Sequence, residues 1–281
     1  MNYTRTLLLT LTAAALVAPP AAAHDYWLMP EKFTPVAGEP LKVHLYYGDD
    51  FKPENERPFQ KDRTPSFVLI SATEARELSA TTPDQQLPLA ELTFAEAGTH
   101  LLALDRTAQN INLEPKQFNE YLRHEGLTDI LAVRKKTKKL QTQGRERYSR
   151  NIKALVQTGD VRNDEIALRT LGKPIEIVPE QNPVNLQPGQ NLGVRVLFEG
   201  KPLANRQIDA LNTTSGKLVR LSARTDKEGR AGFRLDRPGP WIVRLVHMRA
   251  CARDCRNVDW ESFWSSLTFA LADAPAQSAR P

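Results

Sequence analysis

Five histidines are the side chains best able to hold a transition metal in this 281-residue chain, and His24 stands apart from the other four. It follows Ala21-Ala22-Ala23, whose Ala21-x-Ala23 spacing is the small-residue pattern that signal peptidase reads. A cut after Ala23 makes His24 the first residue of the mature chain. An amino-terminal histidine offers a metal two nitrogens from one residue, the free amine and a ring nitrogen, in a chelate that needs no folding. Such nitrogens favour nickel, cobalt, copper or zinc over magnesium and calcium, which prefer oxygen. A free amine has an ordinary pKa of roughly 8 and must lose its proton to bind, so affinity is expected to fall as pH drops toward 6.

By pattern, a second ligand is expected from His44, with Asp50 near it in sequence. Leu41, Val43 and Leu45 alternate with Lys42, His44 and Tyr46, so His44 falls on the polar face of a strand, and Gly48-Asp49-Asp50 ends that strand in a turn with two carboxylates. His247 shares a face with Trp241, Val243 and Leu245 and reads as buried, where a packed histidine and a ligand look alike. The other two histidines have plainer readings. His100 lies among Leu102 and Leu104 as a core or edge residue, and His124, beside Glu120 and Glu125, as a surface one. Asp25 suits orienting a ring or capping a strand, and Trp27 anchoring the core.

Cys251 and Cys255, the only cysteines, are expected to close a small disulfide loop. A thiolate metal site needs more ligands than this pair supplies, and a redox motif has two intervening residues instead of three. Ser262, Ser265 and Ser266 lie in a strand-like stretch without a nucleophile elbow. With no glycine-rich phosphate loop and no His-Glu-x-x-His helix, the chain reads as a non-enzyme.

The stretch ahead of His24 has the make-up of a leader. Arg5 precedes an apolar run from Leu7 to Val17, about half the roughly twenty residues that span a bilayer. Residues 1–23 are therefore expected to be removed, leaving an exported chain that does not span the membrane. The net charge of +5 is mild, and no platform of aromatic and basic residues suggests nucleic acid.

The elements that must position these residues read as mainly β. Short strands between turn signals predict a β-sandwich over residues 24–180, with strands at Ser66 to Ala72, Leu89 to Phe94, Gly98 to Asp105 and Pro174 to Val178, the last returning to that first sandwich. Within it, apolar residues at three- and four-residue spacing predict a helical insertion at about 115–159, split at Gly126 and Gly144, with Pro115 at a first helical position. The basic stretch from Arg134 to Lys139 reads as a solvated face. Gln181-Asn182-Pro183 reads as a linker, and residues 183–272 as a second β-sandwich containing the Thr225-Asp226-x-x-Gly229 turn. That turn is similar to those of carboxypeptidase-regulatory-like and immunoglobulin-like modules. Residues 273–281, rich in Ala, Pro, Gln and Ser, are expected to be a disordered tail.

Several of these features occur together in one family. The His24-Asp25-x-Trp27 start, Phe118-Asn119-x-Tyr121-Leu122 with Glu125-Gly126-Leu127, the Arg145-to-Arg150 segment and the Trp260-to-Phe269 ending resemble a bacterial periplasmic family of largely unknown function. Some of its members are labelled periplasmic components of nickel or cobalt uptake transporters. The resemblance runs over nearly the whole mature chain and implies the periplasm, a two-part β architecture with a helical insertion and a divalent-metal role, with His24, Asp25 and His247 at matching positions and His247 as the candidate second ligand. In that family a histidine or other polar residue often follows the glycine matched to Gly48, where this chain has Asp49 and Asp50.

The expected function is thus a periplasmic protein that captures a divalent transition metal through His24 and further histidines and passes it to a membrane metal transporter. Two alternatives belong to other classes. A copper enzyme could hold its metal in a histidine brace, and a metal-independent adaptor could pair its β-domains with a surface partner.

Overall fold

The computed structural model describes residues 24–272, so the expected leader and tail lie outside the described residues. In chain order, β1 (Asp25–Pro30), β2 (Pro40–Gly48), β3 (Asn55–Glu56), β4 (Ser66–Ile70), β5 (Ala75–Glu77) and β6 (Ala90–Thr93) lead into the long β7 (Gly98–Leu113). Helices α1 (Pro115–His124) and α2 (Thr128–Lys136) follow, then β8 (Gly144–Thr158), the one-turn α3 (Asp164–Ala167) and β9 (Ile175–Pro179). The chain continues through β10 (Gln190–Phe198), β11 (Lys201–Pro202), β12 (Gln207–Asn212), β13 (Val219–Arg224) and β14 (Arg230–Leu235) to β15 (Gly239–Ala250) and β16 (Trp260–Leu271). The protein is mainly β, as its sequence predicts.

An eight-stranded sheet in the order β13-β12-β15-β16-β8-β7-β4-β5 forms the middle of the molecule. Strands from both halves of the chain meet in it at the parallel pair β8 and β16, from Trp260 opposite Glu146 to Thr268 opposite Ala154. Two four-stranded sheets cover its faces. Leu28, Leu41, Val43 and Leu45 of the β1-β2-β3-β6 sheet pack on Leu102, Leu104, Ile152, Ala154 and Val156 of the central sheet. Against the other face, Ile177, Leu192, Val194 and Val196 of the β9-β10-β11-β14 sheet meet Leu101, Leu155, Trp241, Val243 and Leu267. The two helices lie beside the first small sheet, where Phe118, Leu122, Leu127 and Ile130 bury against Val246, Met248, Trp260 and Trp264.

This layering explains two departures from the sequence reading. Residues 144–158, expected to be helical, form a strand whose last nine residues are all buried. A strand covered on both faces carries apolar side chains on both and loses the alternation that marks a half-exposed one. Ile152, Leu155 and Val156 then imitate a helical stripe by chance of spacing. Second, β9 pairs with β10 and not with strands of the first half, so Gln181-Asn182-Pro183 is the turn of an antiparallel connection and Asn182 is buried. The helices themselves start as expected, with Pro115 in the first turn of α1.

Candidate metal centre

β1 is laid across the central sheet by side chains that reach up from below it. Ser266 donates to the carbonyl of Tyr26 at 2.8 Å and Thr268 to that of Leu28 at 2.7 Å. Arg150 donates to the carbonyl of His24 at 3.0 Å, and Arg244 binds the carboxylate of Asp25, with Nε to Oδ1 at 2.7 Å. The residues from His24 to Leu28 are therefore fixed in place by three strands of the central sheet. Trp27, fully buried, adds an apolar anchor against Phe51, Leu211 and Ile242.

The antiparallel register of β1 and β2 sets Asp25 opposite Gly48, which brings His24 to the turn after β2. That turn folds back tightly. Lys52 N–H bonds Asp49 O at 2.9 Å, Glu54 N–H bonds Tyr47 O at 3.0 Å, and Asp50 and Phe51 both take positive φ. Gly48 permits it, since a Cβ there would collide with the carbonyl of Lys52. The outcome is a cluster of one imidazole and two carboxylates. His24 Nδ1 lies 3.3 Å from Asp49 Oδ1, His24 Nε2 lies 3.7 Å from Glu54 Oε2, and one ligand atom from each residue falls within 4.8 Å of the others. The Tyr47 ring borders the cluster, 5.4 Å from the imidazole. Imidazole with two carboxylates is a mixed nitrogen and oxygen donor set that suits borderline divalent ions.

The other expected ligands lie elsewhere. His44 pairs with Met29, about four residues and roughly 13 Å back along β2 from Gly48. It is held there by Glu56 at 2.7 Å and Glu31 at 3.6 Å and stacks on Tyr46. Asp50 turns away from His24 to pair with Arg220. His247 projects to the face of β15 opposite Arg244, whereas β1 lies on the Arg244 face, so the sheet separates it from His24. Among Phe198 and Phe263, burial holds its pKa down at about 4. Cys251 and Cys255 are joined as a disulfide with Cα atoms 5.7 Å apart. Glu54, which the sequence reading passed over, sits in a charged loop with no pattern of its own; only the return of the chain to Tyr47 brings it in.

Behind the cluster runs a buried charge network. The Arg244 side chain, 4 % exposed, also meets Glu125 at 2.5 Å and Asp209 at 3.7 Å; Glu125 accepts from His124, and Asp209 from Arg220 at 3.0 Å. Burial alone would lower the pKa of Arg244, yet the Asp25 and Glu125 carboxylates hold it above its ordinary value. Burial pushes Asp25 up, to about 6, against the pull of Arg244.

Glu146, on β8 near this network, is 1 % exposed, and burial raises its pKa from 4.5 to about 7 although Ser262 and Tyr121 both donate to it. A carboxyl whose folded pKa is raised stabilises fully below its unfolded value and loses that contribution as pH climbs from about 4.5 through 7. Glu146→Gln keeps the accepting oxygen and cannot ionise. Urea unfolding across pH is therefore expected to find the variant about equal to the parent near pH 4.5 and more stable, by about 3 kcal/mol at most, above pH 7. A pH-independent difference would show that Glu146 does not titrate in this range.

Among the described residues no helix is long and apolar enough to cross a membrane. Comparison with curated proteins finds no match. Among solved structures, a mutant of the Salmonella alpha-2-macroglobulin matches at 8 % identity over 92 % of this chain and 17 % of its own, with a TM-score of 0.19, too low to speak for a shared fold. This chain thus spans under a fifth of the length of that protein. A family model does match, over residues 21–249, which takes in the His24 cluster, the buried network and both small sheets, and the chain accordingly belongs to the family described as domain of unknown function (DUF4198).

Proposed function

We propose that this chain is a periplasmic, non-enzymatic divalent-metal-binding protein. In this reading residues 1–23 are removed on export, and His24 then binds nickel, cobalt, copper or zinc through its amine and ring together with Asp49 and Glu54. The observation that carries the reading is the meeting of His24 with those two carboxylates at the one residue that processing would furnish with a free amine. Support for a role in nickel or cobalt uptake, with a membrane transporter receiving the ion, comes from the resemblance of the chain, over nearly its whole mature length, to a family some of whose members are so labelled.

The copper-brace alternative needs a second imidazole on the same ion. The donors that reach His24 are carboxylates, which favours reversible capture over oxidative chemistry. Calorimetric titration of the mature chain with each of the four ions tests the proposal. Asp49→Asn and Glu54→Gln are each expected to weaken binding by about tenfold, about 1.4 kcal/mol, while melting temperature stays near that of the parent. If both variants bind as the parent does, the cluster is not the site. If the parent itself binds none of the ions, the metal-independent adaptor becomes the better reading.

A further inference from the structure

Next to the His24 cluster the central sheet concentrates positive charge. Arg106 on β7 and Arg150 on β8 are direct cross-strand partners. Like charges placed opposite one another destabilise an antiparallel pair. Arg63 joins them around a small open cleft of about 30 Å³, which Tyr26, Gln109 and Tyr148 also line.

The partners of these guanidiniums are nearly all neutral. Arg106 donates to Gln60 Oε1 at 2.5 Å and to Thr64 Oγ1 at 3.2 Å. Arg150, 7 % exposed, donates to the His24 carbonyl and lies 4.3 Å from the ring centre of Tyr26 and 4.5 Å from that of Tyr148, and its buried Nε has no hydrogen-bond partner among the described residues. Among the described residues only Arg63 of the three has an acid beside it, the exposed Asp62 at 3.7 Å. Glu146, which feels Arg150, spends an oxygen on Ser262 and Tyr121 instead. Burial lowers the pKa of Arg106, and the Arg150, Arg63 and Arg57 cations add to that effect.

The backbone is irregular at the same spot. The register of β7 against β8 shifts between Arg106 and Gln109, leaving Thr107 and Ala108 outside the pairing. Bulges of this kind interrupt a ladder and re-aim side chains beside functional sites. A guanidinium fork matches the two oxygens of a carboxylate or of a phosphate, and a bound anion would offset the repulsion that the Arg106 and Arg150 pairing creates.

We propose that this cleft is a binding site for a small oxyanion of the carboxylate or phosphate class, held between Arg63, Arg106 and Arg150. The inference is independent of the metal reading, because it needs neither the amine nor a bound cation. Its test is therefore run on the mature chain in resin-treated, metal-free buffer, with ionic strength held constant by sodium chloride. Inorganic phosphate and citrate are titrated separately by calorimetry and by thermal melting. Saturable binding of one or both, with a matching rise in melting temperature, is the expected result, and the anion that binds identifies the source.

Arg106→Gln is expected to weaken that binding at least tenfold, and the exposed Arg234→Gln on β14 to leave it within twofold. Because Arg106→Gln removes one of two opposed cations, it should melt no lower than the parent in the absence of anion. Should it fail to fold, Arg63→Gln at the rim gives the same readout. Heats and melting temperatures that follow only the matched chloride controls would overturn the proposal, as would equal anion affinity in the parent and the folded arginine variant.

Discussion

One extra residue ahead of His24 is expected to weaken binding of nickel, cobalt, copper or zinc by at least about tenfold relative to a chain that begins at His24, or about 1.4 kcal/mol. Arg150 grips the carbonyl of His24 and Arg244 grips the carboxylate of Asp25, so the start of β1 cannot slide to let a more distant amine take the vacated position. The imidazole, Asp49 and Glu54 all remain in the extended chain, and the loss isolates the amine alone. The two forms should also differ in pH dependence. A free amine is mostly protonated below a pKa of roughly 8 and must shed that proton to bind, so affinity of the chain that begins at His24 should fall more steeply between pH 8 and pH 6. Parallel titrations at pH 8, 7 and 6 make the comparison. Equal affinities and equal slopes would remove the amine from the ligand set and leave the imidazole and carboxylates to be judged by themselves.

Replacing Arg244 is expected to be the most destabilising single change in the molecule, at about 3–5 kcal/mol. Arg244→Met retains much of the apolar stem but withdraws the cation from a buried network in which Asp25 and Glu125 depend on it. Asp209 keeps Arg220, and Glu125 keeps His124, so Asp25 is left the most exposed to the loss. Urea unfolding measures the cost, and adding Asp25→Asn to Arg244→Met should recover part of it because the stranded carboxylate is gone. A cost below about 1 kcal/mol would mean that the network is a replaceable filler. The same substitution should lower metal affinity, since it removes one of the two arginine contacts, Arg150 to His24 and Arg244 to Asp25, that fix the start of β1 on the sheet.

Much of the fold is legible in the chain because its simplest strands are covered on one face. Leu41, Val43 and Leu45 alternate with polar neighbours, and all three are buried while Lys42 and His44 face outward or to the side. Strand ends marked by Gly48 and by Pro174 fall close to where turn chemistry puts them. Legibility fails in the middle layer. In β8 the two sheets above and below erase the alternation, and in β7 a strand expected to end at Asp105 runs on to Leu113 past the irregularity after Arg106.

The candidate site divides along a similar line. A turn with carboxylates after Gly48 can be read directly, and so can a histidine that processing would expose. Which carboxylate faces that histidine cannot. Positive φ at Asp50 and Phe51 sends Asp50 toward Arg220 and leaves Asp49 beside the imidazole, a choice made by a backbone reversal that has no one-residue signature. Glu54 and His24 are likewise thirty residues apart and meet only through β2. His247 shows the converse, because a strand histidine on the wrong face of β15 is out of reach of β1 whatever its spacing suggests.

By itself the sequence determined the class of fold and the donor chemistry of which its histidines are capable, and it set the expectation of a mature chain that begins at His24. These are properties of local pattern and of side-chain type. The tertiary structure alone decided that strands from both halves share one sheet, that Asp49 and Glu54 attend His24, and that Arg106 faces Arg150 beside it. Each of those depends on register between segments far apart in the chain, and register is set by the burial of whole sheets against one another, a quantity that no short stretch of residues contains.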